Sequence, residues 1–308
     1  MTSTALHPLP RFVSLGEALT DFLRTGDDTW VSRAGGAGWN VARVVARLGI
    51  PSAFAGAVSQ DRFGDELARL SAAAGLDMRF LQRAQKPPLL AMVPETAPPA
   101  YFFIGADSAD LAFAPGALPR GGMKAAQWLH VGGISLAREP LAARLIRVIE
   151  EAKAAGCKVS FDPNFRNLMT PAFDRTLEHV ARCADAIKVS DEDLRGLFRT
   201  SDVPDALRAL RAFNPSAPVL LTRGAEGAAL YSGGEAFTQA PPAIEVDDAV
   251  GAGDAAMGGW LYSLMSNPGA GGREHLRFAV AAGAAACLNA GAVPPDRTSI
   301  QRLLQRMP

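Results

Sequence analysis

The sequence predicts an α/β fold whose central sheet is mainly parallel. Three observations carry this: short β-branched or apolar runs recur along the chain, longer amphipathic helical stretches separate them, and the runs are apolar at consecutive positions, as strands buried on both faces must be. A chain of 308 residues with 48% hydrophobic content can bury a sizeable core, which excludes a disordered chain.

In order, the strand-like runs are Arg11 to Gly16, Ala53 to Val58, Trp128 to Val131, Lys158 to Asp162, Ala186 to Val189, Val219 to Thr222 and Ala228 to Tyr231. The helical stretches between them are Asn40 to Leu48, Asp65 to Ala74, Leu141 to Ala155, Pro204 to Ala212, Gly253 to Met265 and Glu274 to Asn289. Ligands in such folds collect at the carboxyl ends of the strands. Two segments, Thr29 to Arg33 and Leu89 to Ile104, break the rhythm, the second carrying Pro94, Pro98 and Pro99, which a central strand does not tolerate. Both are read as an accessory sheet placed as a lid, a decorated surface hairpin being the alternative. With no repeat, charge block or low-complexity linker, residues 1–308 are read as one domain into which these lid segments are inserted.

Lys and Arg number 31 and so do Asp and Glu, so no bulk positive charge gathers nucleic acid or anionic lipid, and small-molecule chemistry is favoured. Cys157, Cys183 and Cys287 lie far apart with no partner at metal-ligand spacing, which argues against a disulfide framework and a zinc site and fits a reducing cytoplasm. Met1 to Pro10 lacks the basic and apolar regions of a secretory signal. No run approaches the roughly 18 apolar residues of a membrane span. His7, His130, His179 and His275 are scattered and are read as structural or exposed.

The chemistry concentrates in the stretch from Glu245 to Gly259. Gly251 and Gly253, separated by Ala252, let the backbone approach an anion closely, and the helix that follows directs its unpaired N–H groups and positive dipole end at it. Asp254 falls in the first turn, where a carboxylate stays ionised and can accept a proton; helix capping is the other reading. A second glycine-rich segment, Gly35-Gly36-Ala37-Gly38-Trp39-Asn40-Val41-Ala42, combines close backbone approach with an amide able to meet hydroxyls, or forms a tight turn and cap.

The run Asp248-Ala249-Val250-Gly251-Ala252-Gly253-Asp254 resembles the C-terminal signature of ribokinase-like carbohydrate kinases of the phosphofructokinase-B type. The resemblance implies a ribokinase-like three-layer α/β/α sandwich with a small β-sheet lid, and an ATP-dependent sugar kinase. Asp254 would be the base and Gly251, Ala252 and Gly253 the backbone that stabilises the transferring phosphoryl group. Asp248 would lie by a monovalent-cation loop; Ala249 stands where Thr is usual, which bears on K⁺ dependence rather than on catalysis. The segment from Gly35 to Ala42 is similar to the family's N-terminal signature, giving Gly35, Gly36 and Asn40 to the sugar, and Gly16 to Asp21 resembles the strand end whose Asp holds sugar hydroxyls. Gly56 to Gly64 resembles a structural turn, and Thr222 to Ala228 the strand-turn beside the nucleotide, placing Thr222, Gly224 and Gly227 there with Asn289. Lys188 to Asp193 stands in place of the family's Asn-x-x-Glu, with Lys188 and Ser190 toward the nucleotide and Asp193 toward hydrated Mg²⁺. No P-loop pattern occurs, so Mg²⁺ is expected on the nucleotide phosphates and waters.

Trp128-Leu129-His130, Ser135-Leu136-Ala137 and Ser160 to Arg166 resemble the fructokinase branch and the related aminoimidazole-riboside and 2-keto-3-deoxygluconate kinases. Asp162 and Arg166 sit past a strand end, where a substrate site forms; a buried Arg166–Asp162 salt bridge is the alternative. The lid run Tyr101 to Asp110 resembles the same branch, but Ala106 and Asp107 stand where many relatives place an Arg, which favours a neutral ketohexose. Phe102 and Phe103 are read as covering the apolar face of the sugar, or else as packing within the lid. Competing readings are a 2-keto-3-deoxygluconate or ribosyl-nucleoside kinase and a catalytically silent sugar- or nucleotide-binding regulator. A homodimer through the lid is expected, because apolar residues on a projecting sheet otherwise face water.

Overall fold

The structure is a computed structural model and describes residues 9–96 and 99–307. The chain runs through β1 (Phe12–Leu15), β2 (Leu19–Arg24), β3 (Trp30–Gly35), α1 (Ala37–Arg47), β4 (Ser52–Ser59), α2 (Arg62–Ala73), β5 (Leu81–Ala84), β6 (Leu90–Thr96) and β7 (Pro99–Ile104). It continues with α3 (Gly122–Ala125), β8 (Trp128–Gly132), α4 (Leu141–Ala154), β9 (Lys158–Asp162), α5 (Asp174–Cys183), β10 (Ala186–Ser190), α6 (Asp191–Phe198) and α7 (Val203–Phe213). Last come β11 (Val219–Thr222), β12 (Ala228–Ser232), β13 (Glu235–Gln239), α8 (Ala252–Ser266), α9 (Gly272–Ala286) and α10 (Arg297–Arg306).

Nine strands form the central sheet in the order β13-β12-β11-β10-β9-β8-β1-β4-β5. All neighbours from β11 to β5 pair parallel, and β12 and β13 add an antiparallel edge. Parallel neighbours need crossovers, so helices cover both faces and two cores result. Val13 and Leu15 of β1 enter the core shared with α4, α5 and α7, whereas Phe12 enters the core under α1, α8 and α9. β1 has β4 on one side and β8 on the other, so the strand order reverses there and a crevice opens beyond the carboxyl ends.

A second sheet, ordered β3-β2-β6-β7, stands apart from the first. β2 pairs antiparallel with β3 and parallel with β6, and β6 pairs antiparallel with β7. Both expected accessory segments are in it. β2 joins them although no sequence run announced it: it follows β1 after the short link Gly16 (φ 139°), Glu17 and Ala18. Pro94 sits where the register shifts between Met92 and Glu95, the irregularity that a residue without an N–H requires. Pro98 lies outside the described residues.

The predicted strands and helices of the main sheet are all present with small boundary shifts. β5 and β13 escaped the reading because they are edge strands with mixed polarity, and α5, α6 and α10 were not read either. Among the described residues no helix is long and apolar enough to cross a membrane.

One contact sets the seat of α8. Gly258 faces α1 so closely that a Cβ there would lie 2.6 Å from Val44 Cγ1 and 3.4 Å from the Val41 carbonyl oxygen, and Gly259 faces α9 in the same way. Gly258→Val is therefore expected to cost about 1–3 kcal/mol through overpacking. Equilibrium denaturant unfolding checks this, and wild-type stability in the variant would contradict the close seating.

Candidate active site

α8 begins at the crevice without a side-chain cap: Gly251 occupies the cap position at φ 81°, in the left-handed region that glycine tolerates. The first-turn N–H groups therefore have no side-chain acceptor and face outward. Asp254 is the third residue of the helix rather than its cap, so the capping alternative falls away. Its Oδ2 accepts a 2.8 Å hydrogen bond from Asn40 Nδ2. Burial pushes the Asp254 carboxyl up to about 6, against the lowering effects of the Asn40 hydrogen bond, Lys188 and Arg166.

Lys188 projects from β10 into the same space, its Nζ 3.2 Å from where a Cβ on Gly253 would stand. It is buried and ion-paired at 3.0 Å with Asp162 Oδ2, at the end of β9. Burial works against the ammonium, yet Asp162, Asp193 and Asp254 together hold it charged. Burial likewise raises Asp162, opposed by Lys188. The Arg166–Asp162 salt bridge offered as an alternative is thus not formed: Lys188 takes Asp162. Arg166 instead donates from one terminal nitrogen to Asn164 Oδ1 and the Phe165 carbonyl, each at 2.7 Å, and lays its guanidinium 4.6 Å from the centre of the Tyr101 ring.

The second sheet closes the space from above. Asp21 of β2 is pushed up to about 6 by burial, with Arg166 lowering it. Gly35 passes so close that a side chain there would run into the Asp21 carboxylate, and at Gly36 (φ 119°) a Cβ would lie 2.6 Å from the Glu17 carbonyl oxygen. Strand alternation sorts the aromatics of β7. Asp21 pairs with Ala91, and Ala91 with Phe103, so Phe103 and Tyr101 share the face of Asp21. Phe102 pairs with Met92 and Phe22 on the other face and is 51% exposed. The expectation for Phe102 is corrected on this ground: Tyr101 is the aromatic toward Asp21, Arg166 and Asp254, whose charges act on its hydroxyl.

Neighbouring strand ends carry the other expected residues. Ser190 caps α6 in a capping box, its hydroxyl accepting from Asp193 N while Asp193 accepts from Ser190 N at 2.7 Å and Phe165 N at 2.8 Å. Thr222 is paired with Ser190 across β10 and β11. Gly224 (φ 53°) opens to solvent, whereas Gly227 (φ 85°) is pressed against the Gln239 carbonyl. Asp248 accepts from Val250 N at 2.9 Å and Gly291 N at 2.8 Å, joining the loop before Gly251 to the exposed loop that carries Asn289. Gly224 and Asn289 are exposed and Asp248 is half-buried, whereas Asp193 is buried and its charge acts on Lys188 and Asp162.

Glu17, Arg43 and Tyr101 lie at the candidate site and were not among the residues expected there: Glu17 acts on Asp254, Arg43 donates to Asn40 Oδ1, and Tyr101 lies near Asp21 and Arg166. Period two along the lid strand would have found Tyr101, and i,i+3 spacing from Asn40 would have found Arg43. Glu17 is buried, and its carboxylate accepts from the backbone N–H and hydroxyl of Ser135. The described histidines are structural, as read. His130 is buried against Ser160 and pushed down to about 3 by burial and Lys188, His275 bonds Ser263, and His179 pairs with Glu150 on the surface.

The fold and the polar cleft at its switch point define a ribokinase-like phosphotransferase. Residues 10–299 match the pfkB family of carbohydrate kinases, and the chain belongs to that family. It is 35% identical to a fructokinase of Klebsiella pneumoniae over 261 residues, covering 82% of this chain and 84% of the relative. The structure superposes with a TM-score of 0.86 on fructokinase with bound ATP from Xylella fastidiosa, at 29% identity over 96% of this chain and 99% of that one. It also superposes with a TM-score of 0.81 on fructokinase from Vibrio cholerae O395 in a form with fructose, ADP and calcium ion, at 27% identity over 95% and 98%.

Replacing Lys188 would leave Asp162 buried and unpaired, a change worth about 3–5 kcal/mol. A carboxyl whose folded pKa lies above its unfolded value binds a proton on folding, so this penalty is full at high pH and shrinks as pH falls through the folded pKa. Lys188→Met is expected to destabilise the protein more at pH 8 than at pH 5. Denaturant melts at the two pH values check it, and equal losses would refute the pairing.

Proposed function

We propose that the protein transfers the γ-phosphoryl group of ATP to a hydroxyl of a neutral ketohexose such as fructose. The observation that carries the reading is Asp254 at the start of α8, partnered by Asn40 and beside helix-turn amides that no side chain caps. In this reading Asp254 takes the proton of the sugar hydroxyl as its oxygen bonds to the γ-phosphorus. The bond from that phosphorus to the β–γ bridging oxygen breaks, and ADP leaves with the electron pair. Gly251, Ala252 and Gly253 bring backbone N–H groups to the transferring group, and Lys188 supplies a fixed positive charge beside them. Such preorganised donors act most strongly where water is excluded, which the second sheet favours as a lid over the main domain.

The sugar side presents two carboxylates, with Arg166 near both. Asp21 and Asp254 both face the space, and Arg166 is already engaged by Asn164, Phe165 and Tyr101. Two carboxylates suit a ligand of hydroxyls better than a sugar acid, and Gly105, Ala106 and Asp107 bring no cation from the lid. The names of the relatives point the same way. Tyr101, Asp21, Gly35, Gly36 and Asn40 then form the sugar wall. The adenine side falls to the rim of Thr222, Gly224, Gly227 and Asn289, where Val250 and Val293 expose apolar surface.

In this reading Mg²⁺ is carried by the nucleotide phosphates and waters, in keeping with its preference for oxygen ligands and retained hydration. Mg²⁺ on the phosphates would neutralise charge developing there. Asp193, with one backbone N–H on each oxygen, keeps lone pairs for a water of that ion, and Asp248 keeps the same for K⁺. A cytoplasmic homodimer through the lid fits the exposed face of Phe102 (51%) and Ile104 (50%). Sedimentation of a dimer that dissociates on Phe102→Asp is the expected result, and a monomer at every concentration contradicts it.

Asp254→Asn is expected to lower kcat by about 10²–10⁴ with sugar affinity retained. The base works only as the carboxylate and its pKa is raised to about 6, so kcat/KM should fall as pH drops through about 6. ADP release with Mg-ATP over a panel of fructose, ribose and 2-keto-3-deoxygluconate measures both. Full turnover by the variant sinks the base, and turnover only on the sugar acid sinks the ketohexose.

A further inference from the structure

Arg43 is a buried cation with no carboxylate partner among the described residues. It lies on α1, 7% exposed, with its guanidinium carbon 4.2 Å from the centre of the Trp39 ring. Trp39 is itself fully buried and anchored by a 2.8 Å hydrogen bond from its indole nitrogen to Ser71 Oγ. Burial lowers the Arg43 pKa only to about 10, so the charge persists at neutral pH. Burying an unpaired charge costs stability, and packing alone would be served better by an apolar side chain.

What the guanidinium holds explains its retention. One terminal nitrogen donates to Asn40 Oδ1 at 3.4 Å and to the Ala292 carbonyl at 3.1 Å. The first bond occupies the acceptor end of the Asn40 amide, which leaves the donor end for Asp254, 2.8 Å away. An amide rotated by half a turn would set its oxygen against the Asp254 carboxylate, two acceptors facing each other. The second bond fixes Ala292, against which Gly251 is packed without room for a side chain: a Cβ on Gly251 would lie 2.9 Å from Ala292 Cβ. Gly291, one residue earlier, donates to Asp248, whose other oxygen holds Val250 beside Gly251. Arg43 thus grips, through two acceptors, both the partner of Asp254 and the loop that backs the helix start.

We infer that Arg43 is a positioning residue for phosphoryl transfer, orienting Asn40 toward Asp254 and seating Gly251 against Ala292 so that base and backbone amides keep one geometry. The inference rests on Asp254 being the base. The charged groups acting on Asp254 are Lys188, Arg166 and Glu17, together with Asp162, and none of them shares a hydrogen bond with Arg43.

The test is a double-mutant cycle on full-length protein, with Mg-ATP and fructose, using Arg43→Met, Arg43→Lys, Asn40→Ala and the two combined Arg43/Asn40 variants. Each Arg43 change is expected to lower kcat about tenfold, the size set by one hydrogen bond to a charged group. It should also move the acid limb of kcat/KM to higher pH, because a loosened Asn40 amide no longer favours the Asp254 carboxylate. In the Asn40→Ala background the same change should cost clearly less than it does alone, the remainder passing through Ala292 and Gly251, since coupled residues are not additive. Arg43→Lys keeps the charge over Trp39 and secures the test if Arg43→Met fails to fold. An unmoved acid limb, or equal kcat losses with and without Asn40, overturns the inference and leaves Arg43 a packing residue. Asp254→Asn, run alongside, separates the two claims: activity retained there removes the base itself, whereas activity lost there beside an additive cycle removes only the role of Arg43.

Discussion

The structure turns on the cost of keeping Asp254 ionised at the mouth of a buried cleft. Desolvation drives its pKa up, and each neighbour that lowers it arrives from a different element: Asn40 from α1, Lys188 from β10 and Arg166 from the loop after β9. A carboxylate in this position is useful only while those three stay in place. The architecture can be read as the means of delivering them. α8 is locked onto α1 and α9 by Gly258 and Gly259, and the parallel strands end in adjacent register where Gly132 meets Asp162 and Ser190 meets Thr222.

The same economy governs the cations. Lys188 is held charged by three surrounding acids, Arg166 stacks on Tyr101 and donates to two acceptors, and Arg43 lies against Trp39 and donates to two oxygens. None is a surface ion pair of the kind worth little. The charged and polar side chains of this cleft meet across elements that lie far apart in sequence, as Asn40 meets Asp254 and Lys188 meets Asp162, so the site assembles only as tertiary structure completes.

Much of this was legible beforehand, for physical reasons. Strands buried on both faces announce themselves as apolar runs, so β1, β4 and β8 to β12 were read nearly at their true bounds. The glycine-rich turns around Gly35 and Gly251 were legible because close backbone approach admits no other residue. Edge strands such as β5, and β2 with apolar residues on both faces, carry no such pattern. Pairings between distant side chains are hidden too. Arg166 offered itself as a partner for Asp162 because it lies four residues away, whereas Lys188 reaches Asp162 only through the parallel register of β9 with β10. Phe102 was misplaced because the face of a strand depends on its register, which composition does not fix.

That register has an evolutionary consequence. On β7, odd positions 101 and 103 line the cleft while even positions 102 and 104 face out, and the irregularity at Pro94 pins the pairing of β6 with β7. A single short strand therefore carries two independent alphabets, one read by the ligand and one by whatever covers the outer face. Point substitutions can edit either without disturbing the other. An insertion or deletion of one residue would transpose them, so a lineage changing its substrate or its assembly should do so by substitution here and keep the length of this strand.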